Sequence, residues 1–122
     1  MQEIRKHNFK NLKIWKDSIL LSKEILLLTQ NFPKHELYSL TSQINRCSIS
    51  VPSNIAEGSS RSSEKDFNRF LEISLGSLYE LQTQIILAYS LNYIDENTFN
   101  KFELSIIELQ KMISGFKKTL NK

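Results

Sequence analysis

Hydrophobic positions recur along this chain at alternating steps of four and three. Ile14, Ser18, Leu21, Ile25, Leu28 and Phe32 trace one face of a first helix. Trp15, Ile19, Leu20, Leu26 and Leu27 widen that face well beyond one stripe. Pro33 disfavours helix at Phe32 and ends the segment. A second helix follows, with Leu37, Leu40, Ile44, Cys47, Val51 and Ile55 facing inward. The third carries Phe67, Leu71, Ser74, Leu78, Leu81, Ile85 and Ala88 as a heptad-like seam. A second apolar set on it, Phe70, Ile73, Leu75, Tyr79, Ile86 and Tyr89, lies off that seam. Asp95 caps a fourth helix, whose Phe99, Phe102, Ile106, Leu109, Ile113, Phe116 and Leu120 keep the repeat to its end.

The predicted helices span about 12–32, 36–57, 63–92 and 95–120, with connections short enough to make neighbours antiparallel. No segment shows strand periodicity. The pattern predicts an all-α single domain over residues 1–122, an up-down-up-down antiparallel four-helix bundle. The doubled apolar faces of helices 1 and 3 exceed what one bundle core needs. They fit self-association, or else a thick monomer core with scattered surface apolars.

One mid-chain stretch concentrates the unusual residues. Pro52 has no N–H, so the carbonyl of Ser48 loses its helical donor. Ser48, Ser50 and Ser53 stand close enough to compensate. Gly58 tolerates left-handed dihedrals and is the expected stop of the second helix. Ser63 is the expected cap of the third, with Asp66 three residues on. Asn54 and Glu57 are expected to bond backbone groups of this corner, and Arg61 to pair with an acid or reach a phosphate. Gly76 inside helix 3 costs about 1 kcal/mol against alanine. The expected compensation is close approach of another helix.

Charge adds an asymmetry. The net charge is +3. Arg5, Lys6, Lys10, Lys13 and Lys16 oppose Glu3 near the start, and Lys111, Lys117, Lys118 and Lys122 meet no acid near the end. In the predicted topology both basic segments and the corner bearing Arg61 share one end of the bundle. A cyclic oligomer would turn that end into a ring of positive charge. Arg5, Lys6, Lys10, Lys13, Arg61, Lys117 and Lys118 are therefore the candidate phosphate contacts, against the plain reading of a solvated surface.

Enzyme chemistry finds little support. His7 and His35 fall in a tail and a corner, and no Glu-x-x-His pair offers di-iron ligands. A lone cysteine argues against structural zinc, and Cys47 reads as core rather than nucleophile. Gly58 stands alone, without a glycine-rich phosphate loop. Tyr38, Tyr79, Tyr89 and Tyr93 could stack bases, but their spacing suits packing. No metal, cofactor or catalytic residue is expected. No apolar run is long enough for a bilayer and the start does not read as a signal peptide. A reduced, cytoplasmic protein is the expectation.

Pro52-Ser53-Asn54-Ile55-Ala56-Glu57-Gly58, with Arg61, Phe67, Phe70-Leu71 and the run from Gly76 to Gln84, resembles the bacterial four-helix bundle family, also called the 23S rRNA intervening-sequence protein family. Leu12–Lys16 resembles its helix-1 opening, and Phe32–Arg46 its first corner and second helix. The resemblance covers about residues 12–94. It implies a bundle assembling as a ring, a homopentamer. It extends to the accessory variability proteins of diversity-generating retroelements, and so implies RNA or DNA and a reverse transcriptase as partners. Cys47 and Ser74 stand where the family pattern has alanine, and Gln82 where it has glutamate. Two functions follow from different classes: a nucleic-acid-binding accessory module using the basic end, or a protein-interaction scaffold in which the charge is incidental.

Overall fold

The computed structural model describes residues 7–120. A 3-10 turn at Phe9–Asn11 leads into α1 (Lys13–Thr29). A second 3-10 turn at Lys34–Glu36 precedes α2 (Leu40–Ser59), followed by α3 (Glu64–Ser90) and α4 (Glu96–Leu120). Among the described residues there are four α-helices and no strand. None of these helices is long and apolar enough to cross a membrane. Each helix packs on its neighbours in sequence, and α1 closes against α4.

The core follows the repeat. Ile25, Ile44, Ile55, Leu71, Leu78, Leu81, Ile106 and Ile113 are fully buried, one or more from each helix. Steps of three and four keep such residues on one side of each helix, and burying that side is what holds helices of this length together. Of the residues added to the seams of α1 and α3, Phe70 is buried and others behave differently. Ile19, Leu20, Leu27, Ile73, Tyr79 and Ile86 remain exposed.

The first corner departs from expectation. Helix 2 does not begin at Glu36: Leu37–Ser39 form a turn, and Leu37 lies exposed rather than on the inner face. The Glu36 carboxylate explains the delay. It accepts from the Ser39 hydroxyl at 2.6 Å and from the Leu40 amide at 3.4 Å, so it serves the start of α2 from outside the helix. Tyr93, between α3 and α4, donates to the other Glu36 oxygen at 2.6 Å and packs its ring on Phe32. The two corners at this end are thus clamped. Hydrogen bonds from Ser39 and then Tyr93 hold the Glu36 carboxyl below its ordinary range, and Glu36 pushes the Tyr93 phenol up.

Glycine roles also differ from the expectation. Gly58 is not a left-handed stop. It lies inside α2, with no positive φ. A Cβ there would fall 2.6 Å from Phe70 Cβ and 2.9 Å from Phe67 Cδ1. Its missing side chain permits contact between the end of α2 and the start of α3. The left-handed residue is Asn92, at φ 63° just past α3. There Tyr93 N–H bonds Ala88 O and Asn92 N–H bonds Tyr89 O, the paired closure that ends many helices. Gly76 has no close neighbour at all: a Cβ there would meet nothing within 4 Å, so no helix of this chain compensates for it.

The same substitution is expected to act oppositely at two glycines. Gly58→Ala should lower the urea-unfolding free energy by about 1–3 kcal/mol, because the Phe70 Cβ in its way is fixed to the chain and cannot swing aside. Gly115→Ala, where a Cβ meets nothing within 4 Å, should raise it by up to about 1 kcal/mol. Equal shifts in the two variants would contradict this packing. Glu36 gives a pH signature. A depressed carboxyl stabilises the fold above its ordinary value of 4.5 and loses that contribution as pH falls through its folded value. The Tm gap between the wild type and Glu36→Gln should therefore be widest near neutrality and shrink in acid. A gap independent of pH would show that the clamp does not depend on the ionised carboxylate.

Candidate interaction site

Pro52 sits buried within α2 and leaves the Ser48 carbonyl without its helical donor. The donor comes from the neighbouring helix: Ser22 Oγ on α1 bonds Ser48 O at 2.8 Å. The serines expected to fill this gap do other things. Ser48 bonds Asn45 O, and Ser50 meets Ser77 Oγ on α3 at 2.9 Å. Asn54 turns back to Ser50 O at 2.8 Å instead of serving the corner. Ser74 bonds Val51 O at 2.9 Å. A row of small hydroxyls thus joins α2 to both neighbours without bulk.

That absence of bulk has a surface consequence. Pro52, Ser53 and Ala56 present short side chains beside α1, and an open groove of about 560 Å³ results. Phe9, Trp15, Ile19, Leu26, Leu27 and Ile49 supply apolar walls, and Lys23 is the one charged lining residue. The motif singled out in the sequence therefore builds the groove with one face and, through Ile55 and Gly58, the core with the other.

At one end His7, the start of α3 and the end of α4 come together. The His7 ring lies 5.1 Å from Phe67 and 5.8 Å from Phe116, and Phe67 and Phe116 touch at 5.6 Å. These contacts bring together the chain's start, the start of α3 and the end of α4. Ser63 caps α3 by accepting from Asp66 N at 3.0 Å. Three of the five candidate cations among the described residues are already engaged. Lys13 pairs with Asp17 at 2.8 Å, Arg61 with Glu57 at 2.8 Å, and Lys117 approaches Glu72 at 3.6 Å. The Arg61 guanidinium also covers the Phe70 ring. Lys10 and Lys118 have no acidic partner among the described residues. Arg5 and Lys6 lie outside the described residues. Exposed pairs such as Lys13–Asp17 and Arg61–Glu57 contribute only about 0–1 kcal/mol.

Chemistry elsewhere is quiet. Burial pushes the Cys47 thiol up to about 12, and its Sγ faces Ser77 O at 2.9 Å. Gln82 joins α3 to α4 by accepting from Gln110 at 2.9 Å. Tyr89 stacks on Phe99, while Tyr38 is 92% exposed at the opposite end from the cations. Among the described residues no three His, Cys, Asp or Glu side chains group as a metal-holding set. The groove has no direct signature in the sequence; the adjacent small residues Ser53 and Ala56, taken with Pro52, are its available signal.

A family model described as 23S rRNA-intervening sequence protein matches residues 10–115. A solved structure of similar fold is a protein with unknown function from the S23 ribosomal protein family of Bacteroides thetaiotaomicron. It superposes with a TM-score of 0.81 at 22% identity, over 86% of this chain and 98% of that one. No curated protein matches the chain.

Proposed function

Because this chain belongs to the 23S rRNA-intervening sequence protein family, we propose that it acts as a non-enzymatic, homo-oligomeric scaffold. One observation carries the reading: an open apolar groove between α1 and α2, walled by Trp15, Ile19, Leu27 and Ile49. Leaving such a surface in water is unfavourable, and covering it is a motive for association. The reading takes the topology as up-down-up-down and the assembly as a closed ring, with five copies as the family resemblance implies. Its setting is the reducing cytoplasm, where the buried Cys47 remains a thiol.

A second reading adds nucleic acid. The meeting of the chain's start, the start of α3 and the end of α4 favours it, since a ring would repeat Lys10, Lys13, Lys117 and Lys118 around one rim. RNA or DNA phosphates would bind there by counterion release, with a protein such as a reverse transcriptase as a further partner. Arg61 has a smaller part, because Glu57 and the Phe70 ring hold it.

Light scattering should give a mass that is a multiple of 14.2 kDa, five-fold for a pentamer. A monomer at high concentration would overturn the scaffold. Fluorescent RNA and duplex DNA titrated across a salt series test the second reading. Binding should weaken steeply with salt, and neutralising Lys10 and Lys118 should reduce the salt slope by about 1 for each phosphate no longer neutralised. An intact oligomer that binds neither at low salt would leave the scaffold reading alone standing.

A further inference from the structure

Among the described residues, two apolar surfaces have no partner within the chain. One is the groove between α1 and α2. The other runs along the outward side of α3, where Ile73, Tyr79, Ile86 and Leu87 are 43–55% exposed. Ile73, Glu80 and Leu87 recur at steps of seven, with Gly76 and Thr83 between them. This is one continuous stripe along four turns of helix. The groove is concave and the stripe is a convex ridge.

Charge distinguishes the two surfaces. Both acids of α1 are occupied on other sides of that helix, Asp17 by Lys13 and Glu24 by Lys101. Lys16 and Lys23 are left without an acidic partner among the described residues, and Lys23 lines the groove. Between Phe70 and Ser90, α3 carries charge only as Glu72 and Glu80. Glu80 has no cationic partner among the described residues and stands in the middle of the stripe. Groove against groove would oppose Lys23 with Lys23. Stripe against stripe would oppose Glu80 with Glu80. Only groove against stripe brings opposite signs together.

Gly76 supplies a third indication. It sits near the centre of the stripe, and a Cβ there would meet nothing in this chain. A glycine in a helix interior is disfavoured, and backbone approach from outside the chain would compensate. We propose that the α1–α2 groove receives the outward face of α3 from a second copy of this chain. The contact is head-to-tail: each copy offers a groove to one neighbour and a stripe to the other. Such an interface closes into a ring or grows as a filament, whereas a self-complementary one stops at a dimer. This inference rests on the self-association proposed above and specifies the surfaces that meet.

Complementation by mixing tests it. Ile49→Asp spoils the groove and Leu87→Asp spoils the stripe; the wild-type side chains are 45% and 47% exposed, so folding should survive. Helical circular dichroism and cooperative melting check that point. Each variant alone should be monomeric where the wild type associates. Mixed in equal amounts they should form a heterodimer and nothing larger, since one sound groove meets one sound stripe. Either variant keeping the wild-type mass would overturn the interface while leaving self-association intact. Two monomers that fail to pair on mixing would overturn its head-to-tail character. A monomeric wild type would remove the underlying reading itself. If an aspartate variant melts early, Lys23→Glu and Glu80→Lys replace the pair. Each should weaken association about threefold to fivefold and the double variant should recover it; no recovery would overturn the pairing.

Discussion

The approach of α2 to α3 at Gly58 is the constraint on which much of the rest depends. The phenylalanines at 67 and 70 occupy the space a side chain would need. Because the two helices meet there without an intervening Cβ, the turn through Ser60–Ser63 can be tight and Ser63 reaches the first amides of α3. Phe67, seated against Gly58, then forms an aromatic cluster with Phe116 and His7. The end that gathers three separate parts of the chain is organised around one absent methyl group.

A second dependency runs along α2. Proline normally leaves a buried carbonyl unsatisfied in the helix interior, at a cost of several kcal/mol when ring crowding is added. Here Ser22 satisfies it from α1. The helix therefore continues through Pro52, and the helices are tied by hydrogen bonds rather than by large interlocking side chains. Ser74, Ser77 and Cys47 repeat this on the α3 side. Polar links between small side chains fix helices closely and specifically, but they cover little surface. The apolar walls beside them remain open.

Much of the fold was legible because it is periodic. The seams running through Ile25, Ile55, Ile85 and Ile113 follow from spacing, and these residues are buried. Contacts between distant residues were not legible in this way. The pairs Lys13–Asp17 and Glu57–Arg61 lie four apart, so sequence spacing contains them. Lys101–Glu24 and Lys117–Glu72 join different helices and depend on rotation of each about its axis. The basic end therefore looks more strongly charged in the sequence than in the fold. Gly58 shows a similar gap: composition marks a glycine, but only packing distinguishes a backbone turn from a missing side chain. Leu37 escapes the apolar pattern because a carboxylate, Glu36, delays the helix that the pattern would begin earlier.

The buried thiol of Cys47 has a practical side. Held neutral and covered, it is a poor nucleophile toward alkylating reagents. The chain carries no other sulfhydryl. A cysteine introduced anywhere on its surface would thus be the single addressable thiol, so fluorophores or spin labels can be attached one position at a time on an otherwise silent background.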